Sequence, residues 1–314
     1  MKTWMIAALI LLAPGTAMAA EPALQWAYPL PPPDLPPPDD KVLRIAKGAP
    51  PEMKFTQKQI DDPFNPPDWF PSEHPDMPKT VRFGRPPTVR ACMVCHQANG
   101  TGHPESTSVS GLSVNYIIEQ MHAFRDGDRT GVRTDVMTAI AKAITEDELK
   151  EAAVYFSGLK PVRSIRVVES ATAPKANPKT GGKLILDPEG GTVPIPEGRI
   201  FEIAEDGDGA LNRDPHAGFI DYVPVGAIKK GEALATTGGG KTTQCSICHG
   251  EGYKGLGDVP RLAGRSAYTI VRQLKDIQTG ARKGAPVALM QAVVKNLSDD
   301  DIVNLAAYMA SREP

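Results

Sequence analysis

Two five-residue motifs, Cys92-Met93-Val94-Cys95-His96 and Cys245-Ser246-Ile247-Cys248-His249, use all 4 cysteines of the 314-residue chain. Cys-x-x-Cys-His is the attachment signature of c-type haem, and the spacing has a mechanical reason. Two thiols three positions apart can each add to one vinyl group of a porphyrin, and the adjacent histidine then points its imidazole at the iron as proximal ligand. A zinc site would need four ligands packed together, and a thioredoxin-like dithiol needs no histidine after its second cysteine. The sequence therefore predicts two covalently attached haem c groups, one at Cys92, Cys95 and His96, the other at Cys245, Cys248 and His249. No thiol remains to form a disulfide.

The motifs belong to an internal repeat. A shift of 153 residues, with no gap, carries one motif onto the other and also takes Gln120 to Gln273, Gly127 to Gly280, Arg129 to Arg282, Met137 to Met290 and Tyr155 to Tyr308. Each copy reads as helical. Ser113 stands as a cap before Val114, Ile117, Ile118 and Met121, which fall on one apolar helix face, and Ser266 does the same before Ile270, Val271, Leu274 and Ile277. A closing helix follows in each copy: Thr145 and Glu148 form a capping-box pair ahead of Leu149, Ala152, Ala153 and Phe156, while Ser298 precedes Ile302, Leu305, Ala306 and Met309.

A second iron ligand should recur at one offset in both copies. Met137 and Met290 do so, each 45 residues beyond the first cysteine of its motif. Met121 pairs with Leu274, which has no donor, and reads as core. Met309 pairs with Phe156 and reads the same way, and Met93 is tethered too closely to its own motif. His122 pairs with Lys275 and His103 with Leu256, so both read as surface side chains, as do His74 and His216 outside the repeats. The predicted metal ligands are thus His96, Met137, His249 and Met290. Histidine with methionine fills both axial positions, leaves none for oxygen or peroxide, and raises the potential because a soft thioether favours reduced iron. Such a centre passes single electrons, and no catalytic residue is expected.

Both copies resemble class I cytochromes c, and their tandem arrangement resembles the di-haem cytochrome c4 family. The resemblance is carried by Cys245, Cys248, His249 and Gly250, by Pro260-Arg261-Leu262-Ala263-Gly264, by the helix with Gln273, by Met290 and by the last helix with Tyr308. It covers roughly residues 79–160 and 227–314. It implies a mostly α chain with two cytochrome c-like helical haem domains in tandem. It also implies that the Pro260 carbonyl accepts a hydrogen bond from the proximal imidazole, with Thr107 in that position in the first copy. A di-haem cytochrome c peroxidase also carries two such motifs, but it divides labour between unlike haems, whereas Met137 and Met290 stand at matching offsets. A third reading is the cytochrome subunit of a periplasmic dehydrogenase.

The remaining segments are unlike a haem module. Residues 1–19 read as a signal peptide, with Lys2, an apolar run from Trp4 to Leu12 that is too short to span a bilayer, and the small-residue box Ala17-Met18-Ala19. This predicts export to the periplasm with no transmembrane segment. Residues 20–78 form a Pro-rich N-terminal extension whose run at 31–38 favours polyproline II backbone, with Trp26, Tyr28, Trp69 and Phe70 as candidate anchors. Residues 161–226 read as a small β-rich insertion, from β-prone runs at 162–168, 183–186, 199–203 and 219–223. Asp206-Gly207-Asp208-Gly209 lacks the later acids of a calcium loop and reads as a turn.

The net charge is −2 and mixed in sign, with no alternation of basic and aromatic residues, which argues against a nucleic-acid partner. Residues 227–314 nevertheless carry +4 against −5 for 20–78. Lys254, Arg261, Arg265, Arg282 and Lys283 are expected to rim the second haem edge and steer an acidic redox partner. The expected partners are periplasmic redox proteins: a dehydrogenase or quinol-oxidising complex as donor, and an oxidase or reductase as acceptor.

Overall fold

Helices capped by serine or threonine recur in matched pairs in the computed structural model, which describes residues 24–28, 34, 35, 37 and 39–314. The leader expected at 1–19 lies outside these residues, and the proline run is described only in part. After a small antiparallel ribbon of β1 (Leu43–Arg44) and β2 (Phe55–Thr56) come the short helices α1 (Gln57–Ile60), α2 (Lys79–Arg82) and α3 (Met93–His96). The longer α4 (Val114–Asp126), α5 (Asp135–Ala143) and α6 (Glu146–Gly158) complete the first module. Next lie β3 (Ile165–Glu169), β4 (Thr172–Pro174), β5 (Ala176–Pro178), β6 (Leu184–Leu186), β7 (Thr192–Pro194), β8 (Phe201–Ala204), α7 (Gly207–Leu211) and β9 (Phe219–Val223). The chain ends with α8 (Ala227–Thr237), α9 (Ser246–His249), α10 (Ala267–Thr279), α11 (Ala288–Val294) and α12 (Asp299–Ser311). Among the described residues helix makes up 40% and strand 13%, so helices dominate as expected.

The caps explain where the paired helices begin. Ser113 Oγ accepts from the Tyr116 amide ahead of α4, and Ser266 Oγ from the Thr269 amide ahead of α10. Each helix stops at a glycine in the left-handed region, Gly127 at φ 79° and Gly280 at φ 78°, where a side chain would be strained. Reciprocal capping boxes open the closing helices, Thr145 with Glu148 before α6 and Ser298 with Asp301 before α12. Three acids occupy the first turn of each, where the helix dipole favours them.

Residues 165–223 hold a five-stranded sheet in the order β3-β9-β8-β6-β5, with β3–β9 and β6–β8 parallel, and a separate β4–β7 ribbon. Strands β4, β5 and β7 were not foreseen. Each has three residues and ends in proline, and proline in a short run weakens a strand signal. The turn expected at Asp206-Gly207-Asp208-Gly209 is instead the start of α7, because the Asp206 carboxylate accepts from the Gly209 amide and caps a helix.

The sheet shares its core with the second module. Ile165, Ile200, Phe219 and Val223 pack in one apolar cluster with Tyr268, Ile270, Ile302, Leu305 and Met309, which also takes in Leu24, Ala27 and Tyr28 of the N-terminal extension. Two carboxylates that face each other across β8 and β9, Glu202 and Asp221, meet the start of α10. Ser266 Oγ lies 2.5 Å from Glu202 Oε2, and the Ala267 amide donates to Asp221 Oδ2 at 3.0 Å.

All four candidate anchors of the extension are held. Trp26 packs edge-on against Tyr268 at 5.3 Å, and the Tyr28 hydroxyl donates to Asp276 at 2.5 Å. Trp69 Nε1 donates to the Asn212 carbonyl at 2.8 Å, and Phe70 lies 4.2 Å from the His216 ring. The extension thus reaches the second module at one end and the inserted segment at the other.

Candidate functional site

Each Cys-x-x-Cys-His motif forms a single helical turn, α3 or α9, that ends at its histidine. His96 Nδ1 donates to the Thr107 carbonyl at 2.9 Å, and His249 Nδ1 donates to the Pro260 carbonyl at 2.7 Å. This bond places the ring proton on Nδ1 and leaves the Nε2 lone pair for a metal. Burial lowers the pKa of both imidazoles, which keeps them neutral and able to ligate. Burial also pushes the Cys92 thiol up to about 12 and the Cys245 thiol up to about 11. All four cysteines are unpaired, so each motif offers two free thiols for covalent attachment.

Met137 and Met290 occupy α5 and α11, corresponding helices of the two modules. In the first module the apolar interior falls into two clusters. One gathers Val81, Ala91, Tyr155 and Phe156, with the Phe156 ring 6.1 Å from His96; the other gathers Met121, Phe124, Ala141 and Leu149, with Met137 against it. Helices α4 and α6 contribute to both, an arrangement that suits a flat apolar ring between the histidine side and the methionine side. In the second module Met290 packs at the margin of the shared core. Met121 and Met309 are buried apolar side chains, as the repeat implied, Met93 is buried within its own motif, and His122 pairs with Glu146 at 3.1 Å near the surface.

His103 departs from the expected surface position. It is buried, its Nδ1 3.2 Å from the Cys95 carbonyl, and burial pushes its pKa down to about 3. Gln97 lies 3.2 Å from its Nε2, and Lys183 and Arg213 of residues 161–226 add positive charge nearby; the repeat holds no counterpart of that segment, so its effect could not be anticipated from the repeat.

The expected cationic rim needs a larger correction. Lys254 and Lys283 are exposed, but Arg261, Arg265 and Arg282 are buried and face the first module. Arg261 Nη2 donates to Ser108 Oγ at 2.8 Å, and Arg265 Nη2 donates to Thr107 Oγ1 at 2.5 Å and to the Ser108 carbonyl at 2.9 Å. Arg282 donates to Gln273 Oε1 and Gln120 Oε1, both at 2.8 Å, while Arg129 donates to Gln120 at 3.1 Å and Gln273 at 2.9 Å. Each arginine therefore bonds its own module's glutamine and that of the other module. Backbone bonds from Thr130 to Ala281 at 2.7 Å and from Lys283 to Asp128 at 2.8 Å run alongside. All four members of this ring are related by the 153-residue shift, which was the one available signal that they act together.

Four guanidiniums thus meet between the modules on neutral oxygens. Burial and mutual repulsion push Arg129 and Arg261 down to about 9, and the Nε atoms of Arg261 and Arg282 have no hydrogen-bond partner. Buried cations of this kind call for anions. Haem propionates are such anions, so the proximal imidazoles, the paired thiols and the arginine cluster together fit two haem c groups.

The family model for subunit III of cbb3-type cytochrome c oxidase matches residues 226–309. Cytochrome c-554(548) of Halomonas halodenitrificans is 40% identical over 80 residues, which cover 25% of this chain and 96% of that protein. Cytochrome c4 of Azotobacter vinelandii is 37% identical over 87 residues, covering 26% of this chain and 41% of its own length. A protein of Thiomonas intermedia named "Thiosulfate dehydrogenase electron acceptor" is 27% identical over 232 residues, covering 72% of this chain and 81% of the relative. Among the described residues no helix is long and apolar enough to cross a membrane. The match along nearly the whole length of a single-module relative, joined to two attachment motifs, places this chain among the class I c-type cytochromes that carry haem c, as a di-haem electron-transfer protein resembling cytochrome c4.

Proposed function

We propose that this protein is a periplasmic electron carrier in which His96 with Met137, and His249 with Met290, ligate the two irons. One observation carries the reading: both motifs tie the histidine Nδ1 to a carbonyl in the same way, and a methionine stands at the same offset on a corresponding helix in each copy. When bound, haem supplies a one-electron couple. The chain's own residues hold it by two thioethers, fix the proximal ring through Thr107 or Pro260, and surround it with apolar side chains that exclude water. Absorption and electron paramagnetic resonance spectra of the resting protein test this. Methionine-to-iron charge-transfer absorption and low-spin signals from both irons are expected, and a high-spin or bis-histidine centre would favour the peroxidase reading.

The donor we favour is a dehydrogenase, on the strength of the relative named as an electron acceptor of thiosulfate dehydrogenase. Catalytic reduction of the oxidised protein by a purified thiosulfate dehydrogenase in the presence of thiosulfate is the direct check. A lack of reduction there would redirect the search to other donors.

A further inference from the structure

The two motif faces differ in exposure although their sequences are equivalent under the repeat. Ile247, between the cysteines of the second motif, is 63% exposed, and Leu256 is 61% exposed. Their counterparts, Val94 and His103, are each only 5% exposed. Leu289, beside Met290, is 82% exposed, against 40% for Val136 beside Met137.

Chain from outside the repeat accounts for the difference. The Arg213 guanidinium donates to the Val94 carbonyl at 2.6 Å, and Gln97 and Asn99 donate to the carbonyls of Asp214 and Pro215 at 3.1 and 3.2 Å. From the other side, the Ala91 amide donates to the Pro63 carbonyl at 2.8 Å. These two covering segments are clamped together, since Arg213 pairs with Asp61 at 2.8 Å and Trp69 bonds the Asn212 carbonyl. Asp61 and Arg213 are both largely buried, so the clamp is part of the fold and not a surface contact.

We propose that redox partners dock on the second module alone, on the face formed by Ile247, Leu256 and Leu289, and that residues 60–69 and 211–216 seal the equivalent face of the first. This rests on the carrier reading above. The occupant is a redox protein whose own docking face is apolar with an acidic surround. Exposed Lys254, Lys283 and Lys295 flank the apolar residues in sequence and outnumber the exposed acids there, Glu251 and Asp258. An apolar centre with a cationic rim gives fast, salt-sensitive encounter with such a partner.

An acidic flavodoxin serves as the probe, titrated in its oxidised form into the fully oxidised holoprotein so that no electron moves. At low salt, amide shifts by nuclear magnetic resonance are expected at Ile247, Leu256, Leu289 and Lys254, and not at Val94 or His103. Leu256→Asp or Leu289→Asp should weaken binding about tenfold by placing an acid against the acidic surround, while Val136→Asp in the first module leaves it unchanged. Arg213→Ala, which loosens the clamp, should add shifts around Val94. Shifts of equal size at the two motifs, an equal loss from Val136→Asp, or no binding at low salt would each overturn the proposal. None of these outcomes bears on iron ligation, which the resting spectra report separately.

Discussion

Each proximal imidazole gives its Nδ1 proton to a neighbouring carbonyl, so the two histidine sides are chemically alike, and the proposed ligation sets one methionine thioether against each. Met137→Ala and Met290→Ala should therefore each lower one haem's potential, on the order of 0.1 V, and leave the other nearly unchanged in a spectroelectrochemical titration. A shift of both haems in either variant would mean that the methionines do not act one per iron. At this scale the sequence was most legible where residue type and spacing alone define the chemistry, as in the two motifs that mark haem c. It was least legible for His103, Arg261, Arg265 and Arg282, which read as surface residues and are buried. Burial of these side chains depends on segments far away in the chain, which no local pattern reports.

Helix boundaries were legible because caps are local. Ser113, Thr145, Ser266 and Ser298 each bond an amide three residues on, as the sequence implied. The sheet was legible in β3, β6, β8 and β9 and missed at β5, since a three-residue strand ending in proline carries almost no pattern. What the strands hold was not legible at all. Glu202 and Asp221 become neighbours only through β8–β9 pairing, and burial lifts both carboxyls above their ordinary values. The folded state thus keeps protons that the unfolded chain releases. Their contribution is most favourable below the ordinary carboxylate range and is lost as pH rises from that range through the raised folded values. Thermal melts of holoprotein from about pH 5 to pH 8 should show the wild type losing stability more steeply than Glu202→Gln, whose amide does not ionise. Parallel curves would rule out retained protons at this pair.

In the whole molecule the two modules meet through a ring that the repeat itself generates, Arg129 and Arg282 each bridging Gln120 and Gln273. Gln120 accepts from both guanidiniums in a buried setting, so Gln120→Ala leaves two charged donors without that acceptor. A loss of about 2 kcal/mol is expected, read as a lower urea midpoint for the holoprotein, with a comparable loss for Gln273→Ala. If either variant unfolds like the wild type, the ring is a by-product of contact and does not hold the modules together.

The inserted segment lies between the modules in the chain but grips both of them in space. Its sheet is built into the interior of the C-terminal half, and its Arg213 reaches the α3 turn of the N-terminal half. Severing the backbone at a protease site engineered between Pro224 and Gly226 should therefore yield two fragments that co-elute from a sizing column and part only in denaturant.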